Sequence, residues 1–235
     1  LRIYHRDSPG NMSILENGTI SVLMPMMAVM NNLVVFDPKQ KQNRLDNIVP
    51  YLAESWTLSE DGNDLTFKLR QGVKWHDGKP FTAADVKCTF DLLLGKAKDK
   101  LRLNARAAWW TNLDEVTADN PFQATFHLKR PQPSFLALLA AGFTPIYPCH
   151  VPPAQMRQHP IGTGPFMFDS WEKGVQVVLK KNPTFWEAGK PYLDELTFKV
   201  LTDANARMLQ FQSGDLDIAT AVPYSQVESL KANPD

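Results

Sequence analysis

Between Leu52 and Leu93 the sequence is cut into pieces too short for anything but small strands, turns and one helix. That punctuation limits the fold more than any other feature. Leu65-Thr66-Phe67-Lys68-Leu69-Arg70 alternates apolar and polar residues, the period-two pattern of a strand with one buried and one wet face. Ser59-Glu60-Asp61-Gly62-Asn63 is a turn signal in front of it, and Leu52-Ala53-Glu54-Ser55-Trp56 lies beyond that turn. A hairpin is the simplest arrangement. A second Asp-Gly turn, within His76-Asp77-Gly78-Lys79-Pro80, ends the next short strand. Thr82 then opens a helix, with Asp85 three residues on in the manner of a capping box. Val86, Phe90 and Leu93 form one apolar stripe on it, and Cys88 lies about 200° round from Val86, off that stripe.

Further strands are expected over Ala124–Leu128, Val175–Leu179 and Leu196–Val200. One helix follows Asp203, carries Ala204, Met208 and Phe211 on a face and stops at Gly214; another begins near Pro223 and carries Val227 and Leu230. The sequence then finishes at Asn233-Pro234-Asp235, straight after a helix and without a closing strand. Many short strands with few helices indicate an α+β class, as one large domain or two small ones for 235 residues.

Lys plus Arg number 25, as do Asp plus Glu, so the excess of basic charge that non-specific nucleic-acid binding needs is missing. The longest apolar stretches, Val22–Met30 and Phe135–Phe143, fall far short of the roughly 18 residues of a membrane span. The opening Leu1-Arg2-Ile3-Tyr4-His5 has no initiator Met, basic leader or apolar core of a signal peptide. Two alternatives follow: a targeting segment has been removed, or the sequence starts inside a longer protein. Two cysteines, Cys88 and Cys149, are too few for a disulfide scaffold or a cysteine zinc site, though an even number allows one bridge in an oxidising compartment.

Catalytic signatures are missing. Gly162-Thr163-Gly164 is followed by Pro165 and Phe166 instead of the Lys and Ser or Thr of a phosphate loop, so it reads as a tight turn leading to a strand. His5, His76, His127, His150 and His159 form neither HxxxH nor HExxH, and no G-x-S-x-G or papain-like cysteine setting occurs. No cofactor or metal is called for. Trp109-Trp110 is the most suggestive aromatic pair, because adjacent residues on a regular element cannot both face one core. Either one is a core residue with a partly buried neighbour, or one is a ligand-stacking wall.

Two blocks carry a resemblance. Leu52-Ala53-Glu54-Ser55-Trp56, Asp61-Gly62, Thr66–Arg70, Gly72-Val73-Lys74-Trp75-His76-Asp77-Gly78 and Phe81-Thr82-Ala83-Ala84-Asp85-Val86 make the first. Gly162-Thr163-Gly164-Pro165-Phe166, Asn182-Pro183, Phe185-Trp186, Lys190-Pro191-Tyr192-Leu193-Asp194 and Ser213-Gly214-Asp215-Leu216-Asp217-Ile218 make the second. In order and spacing, from about Leu33 to Leu230, they resemble extracellular solute-binding protein family five, the oligopeptide-, dipeptide- and nickel-binding receptors of ABC importers. The shared residues are turn glycines, prolines, strand faces and caps, which specify a scaffold and not a reaction.

The resemblance implies a periplasmic binding protein type II-like fold in which two lobes close on a ligand like a hinge. Residues 1–45 and 160–235 would form lobe one and 46–159 an inserted hairpin-rich subdomain, with the second lobe absent. It implies an exported, periplasmic protein, its signal segment not in this chain, that acts as a monomer. Such a protein captures a small molecule or short peptide without chemistry, and delivers it to an ABC transporter permease in the inner membrane. A sugar, opine or metal chelate is the alternative ligand, and a sensory or regulatory module or a hydrolase on this scaffold the alternative role. By position in the family, Glu16-Asn17-Gly18-Thr19 matches a loop approaching bound ligand, Trp109 or Trp110 an aromatic wall, Gly142-Phe143-Thr144 a rim, and Thr220 a strand end facing the cleft. Typical relatives carry other residues at both Cys88 and Cys149. Two cysteines arriving together in one subdomain of an exported protein therefore imply a disulfide, with two packed thiols as the alternative.

Overall fold

A computed structural model describes residues 1–232. In chain order its regular elements are β1 (Arg2–His5), α1 (Ile20–Val29), β2 (Val34–Phe36), β3 (Ile48–Pro50), β4 (Ala53–Leu58), β5 (Asp64–Leu69), α2 (Ala83–Leu93), β6 (Leu113–Asn120), β7 (Gln123–Leu128), α3 (Phe135–Ala140), α4 (Pro153–Met156), β8 (Phe166–Glu172), β9 (Gln176–Lys181), β10 (Glu195–Val200), α5 (Ala204–Gln212) and α6 (Tyr224–Lys231). One four-stranded sheet runs β1-β10-β9-β8 and another β4-β5-β7-β6, while β2 and β3 pair as a separate ribbon. This is the mixed α/β composition expected. The segment Asn233-Pro234-Asp235, and with it the expected abrupt finish, lies outside the described residues.

The second sheet is antiparallel throughout, with Trp56 opposite Phe67 and Phe67 opposite Ala124. Its alternation puts Leu65, Phe67 and Leu69 inward beside Ala124, Phe126 and Leu128, all buried. The Val86, Phe90 and Leu93 stripe of α2 covers that face. Phe90 meets Phe126 at 4.7 Å and Trp110 at 5.2 Å, both edge to face, the arrangement the ring quadrupoles favour. The N-terminus of α2 is fixed by Asp85. Its Oδ2 accepts the Thr82 N–H at 2.9 Å, and its Oδ1 accepts the Cys149 N–H at 2.9 Å from a distant segment. Cys88, one turn on, is bonded to Cys149 as a disulfide with Cα atoms 5.6 Å apart. The second Asp-Gly turn closes on a single bridge, Lys74 to Pro80, and not on a strand.

In the first sheet β1 runs parallel to β10, with Ile3 opposite Phe198, and the Tyr4 N–H donates to the Ile218 carbonyl at 2.8 Å on the other side. Helix α1 lies against this sheet and contains Pro25, which has no N–H for the Ser21 carbonyl one turn earlier. His5 replaces that donor, its Nε2 lying 2.8 Å from the Ser21 oxygen. Burial holds the His5 imidazole below its ordinary pKa, in keeping with a neutral Nε2–H tautomer.

The C-terminus of α1 rests on Gly162-Thr163-Gly164. The Gly164 N–H donates to the Val29 carbonyl at 2.9 Å, and a Cβ at Gly162 would overlap that carbonyl oxygen, so only glycine fits. His76 locks the same turn: its Nδ1 accepts the Gly162 N–H at 3.2 Å and its Nε2 donates to the Gly164 carbonyl at 3.0 Å. This turn is structural, as its sequence indicated. The apolar face expected on α5 is only partly realised. Asp203 caps it through the Ala206 N–H and Met208 is buried, but Phe211 is 39% exposed. No residue of α6 is buried, so Val227 and Leu230 pack less than their spacing predicts.

Candidate functional site

The loop ahead of α1 is welded in place by its own side chains. Glu16 is buried, and its Oε1 accepts the Arg157 Nη1 at 2.9 Å and the Arg102 N–H at 2.7 Å. The Tyr147 hydroxyl accepts the Leu15 N–H at 3.3 Å; full burial pushes its pKa up to about 12, so it stays neutral. Asn17 folds over this base with its Oδ1 accepting the Thr19 N–H. Gly18 and Thr19 are thereby left exposed at the rim, ahead of the first turn of α1.

A 3-10 turn over Ala107–Trp110 sends the adjacent tryptophans to different places. Trp110 is 2% exposed and packs on Phe90 and Phe135, so it belongs to the core. Trp109 is half-buried, and its ring meets Phe143 edge to face at 6.3 Å. Phe143 follows α3, whose last carbonyls are held by the Asn32 side chain through Leu139 and Ala141. Thr144 turns inward, buried, with its hydroxyl donating to the Leu138 carbonyl at 2.8 Å. Beside Phe143 opens a cavity of about 750 Å3, lined among others by Met27, Met30, Tyr51, Gly142 and Glu187. That volume and apolar lining suit a small organic ligand.

Arg106 ties these pieces together. Its Nη1 donates to the Ile14 carbonyl at 3.2 Å and its Nη2 to the Asn17 carbonyl at 3.1 Å. The guanidinium carbon lies 4.2 Å from the Phe143 ring centroid and 5.8 Å from that of Trp109. Desolvation holds this guanidinium below its ordinary pKa, and no carboxylate bonds to it among the described residues. The sequence reading missed Arg106. The available signal was a stretch from Lys100 to Leu113 with three basic residues and no acidic one.

Of the expected residues, then, Asn17, Gly18, Trp109 and Phe143 come together around Arg106, and Gly142 and Phe143 reach the cavity. Glu16, Trp110 and Thr144 are engaged inside the protein, which leaves Trp109 as the half-buried one of the two tryptophans. Thr220 is exposed, beside Ala221 with its positive φ of 54° and a carbonyl that accepts from the buried Arg207 at 2.6 Å. An Asp64–His127–Thr117 chain crosses the wet face of the second sheet at 2.8 and 3.1 Å. The Thr117 hydroxyl gives its proton to Asp119 at 2.7 Å, which leaves it unready as a nucleophile. No helix among the described residues is long and apolar enough to cross a membrane.

Residues 47–235 match the family described as bacterial extracellular solute-binding proteins, family 5 Middle. The chain is 34% identical over 200 residues to the glutathione-binding protein GsiB of Escherichia coli (strain K12), an alignment covering 82% of this chain and 37% of that protein. Among solved structures it is similar to the oligopeptide-binding protein AppA from Bacillus subtilis in complex with a nonapeptide, at 30% identity and a TM-score of 0.84. That match covers 98% of this chain and 45% of AppA. It is also similar to NikZ from Campylobacter jejuni in complex with Ni(L-His), at 26% identity and a TM-score of 0.83, covering 100% of this chain and 45% of that one. The chain thus spans less than half the length of these relatives.

Proposed function

The chain belongs to the bacterial extracellular solute-binding proteins of family 5, and on that premise we propose that it is the ligand-capturing part of an importer's solute receptor. In this reading the first sheet and its helices, residues 1–45 and 160–235, are one lobe, and 46–159 are a subdomain inserted in it. The β2–β3 ribbon crosses that boundary, since Val34–Phe36 pairs with Ile48–Pro50. A second lobe, supplied by the rest of the protein, closes over the ligand. The full protein works in the periplasm, carries out no chemistry, and passes its cargo to an ABC permease.

One observation carries the reading. Three separate segments, 17–19, 106–109 and 142–143, converge on an aromatic rim with a buried guanidinium beside an apolar cavity. Nothing in that arrangement is specific to one side chain, which suits a short peptide; the exposed Gly18 and Thr19 leave room for its backbone. Native mass spectrometry of the full-length protein, purified without unfolding, tests this. A bound small molecule at one per chain, released on acid denaturation and rebinding in calorimetry, is the expected result. Absence of any co-purified ligand, together with no heat from a di- and tripeptide library, would overturn the peptide assignment. Conversion of those peptides to products would overturn the absence of chemistry.

A further inference from the structure

We propose that Arg106 is an anion-recognition residue of the cleft and takes a carboxylate group of the ligand, between the rim loop and the Trp109–Phe143 wall. The inference rests on the reading of this region as a ligand cleft and adds the charge of the group bound there. It starts from the arginines as a set. Arg2, Arg6, Arg44 and Arg157 are each paired with a carboxylate of the protein. Among the described residues two arginines are more than nine-tenths buried without such a partner, Arg106 at 8% exposure and Arg207 at 5%. Taking a charge out of water without a counter-charge is expensive, so each case demands a reason.

Arg207 is the less compensated of the two, but it is closed to solvent. Its Nη2 donates to the Ala221 carbonyl, its carbon lies 4.3 Å from the Tyr4 ring centroid, and its Nε is sealed from solvent with no acceptor. A ligand cannot reach it. Arg106 differs on each point that matters. A guanidinium has five N–H donors, and here two are used, on the Ile14 and Asn17 carbonyls, leaving 5 − 2 = 3. The Nε that donates to nothing is not among the sealed polar atoms. Gly18 lies beside Nη2 without a side chain to cover it; even a Cβ there would stand 3.7 Å away. The two carbonyls and the two rings fix the fork, so little freedom is lost when an anion docks. A carboxylate accepts two parallel N–H bonds from such a fork, and in a site shielded by Trp109 and Phe143 those bonds are charge-assisted and strong.

Arg106 therefore acts as a specificity residue, and its signature is discrimination by ligand charge, which a merely structural arginine would not give. The test uses the full-length protein with trialanine and trialanine amide, measured by calorimetry in wild type, Arg106→Gln and Arg106→Lys. Wild type should bind the free acid at least about tenfold more tightly than the amide. In Arg106→Gln that ratio should collapse to about one, and Arg106→Lys, which keeps the charge without the fork, should fall between. Equal weakening of acid and amide in both variants would show that Arg106 only holds the rim, and an unchanged ratio would place the anion elsewhere. If wild type binds neither peptide, the peptide reading fails, and acetate decides the arginine by itself. A saturable shift of the Arg106 Nε–H signal in the nuclear magnetic resonance spectrum on titrating sodium acetate upholds the assignment. No such shift overturns it.

Discussion

The disulfide gives the most exacting prediction, because its effect falls on a state other than the native one. Cys88 and Cys149 are 61 residues apart in sequence, so the bond closes a long loop in the unfolded chain. In the chain-entropy picture a loop of that length contributes about 4 kcal/mol. The native side of the balance should hardly change when the bond is removed. The Cys149 N–H stays on Asp85 Oδ1 at 2.9 Å, the Tyr147 N–H stays on the Thr89 hydroxyl at 2.9 Å, and that hydroxyl donates to the Asp85 carbonyl at 2.8 Å. Two of these hydrogen bonds dock the segment on α2 without any sulfur, and the third holds the Thr89 hydroxyl in place. Urea unfolding of the Cys88→Ser/Cys149→Ser variant, followed by tryptophan fluorescence, should show a loss of about 4 kcal/mol. Its denaturant slope should rise, because the uncrosslinked chain exposes more surface. The near-ultraviolet circular dichroism of the folded variant should match wild type. Thiol titration of unfolded, unreduced wild type should find none free. An unchanged midpoint, or a changed native spectrum, would refute the reasoning; two free thiols would remove the bond altogether.

Two further outcomes follow from the same packing. Burial depresses the His76 pKa from its ordinary 6.5 to about 4, against the opposing hydrogen bond to the Gly164 carbonyl, so the fold holds the neutral ring. That contribution is complete above about pH 6.5 and is lost as the pH falls through about 4, at most about 3 kcal/mol in all; a pH series of urea midpoints should show the decline in wild type and a flatter profile in His76→Gln. Trp110→Ala should cost about 3–5 kcal/mol as a core truncation, whereas Trp109→Ala should cost far less stability and weaken ligand binding by the full-length protein. Equal stability losses in the two variants, read by the same melts, would place both rings in the core.

What the sequence revealed and what it hid divide along a physical line. Local rules carried the hairpin over Ala53–Leu69, the Thr82–Asp85 start of α2 and the glycine turn at Gly162-Thr163-Gly164, because each is decided by residues within a few positions. The partners of those local features were not legible. Asp85 reads as a cap, yet it also holds Cys149 from 64 residues away; His76 reads as a turn residue, yet its ring locks a turn some 86 residues on. Phe211 repeats at the helical period of α5 and is still exposed, since periodicity names a face without saying what lies against it. The candidate site hides for the same reason. Gly18, Trp109 and Phe143 could be placed near one another only by likeness to a family, and the tryptophan pair stayed undivided until the 3-10 turn separated one ring from the other. Arg106 escaped notice because its meaning lies in what is missing around it. A buried arginine with a carboxylate partner explains itself, and one held by two carbonyls and two aromatic rings leaves a positive charge unanswered. Arg207 is buried without a carboxylate too, so the missing partner alone does not single Arg106 out; its unsealed Nε and the bare Gly18 beside it do. On the proposed assignment a ligand carboxylate would answer that charge, and the desolvation left uncompensated in the protein would become selectivity on binding.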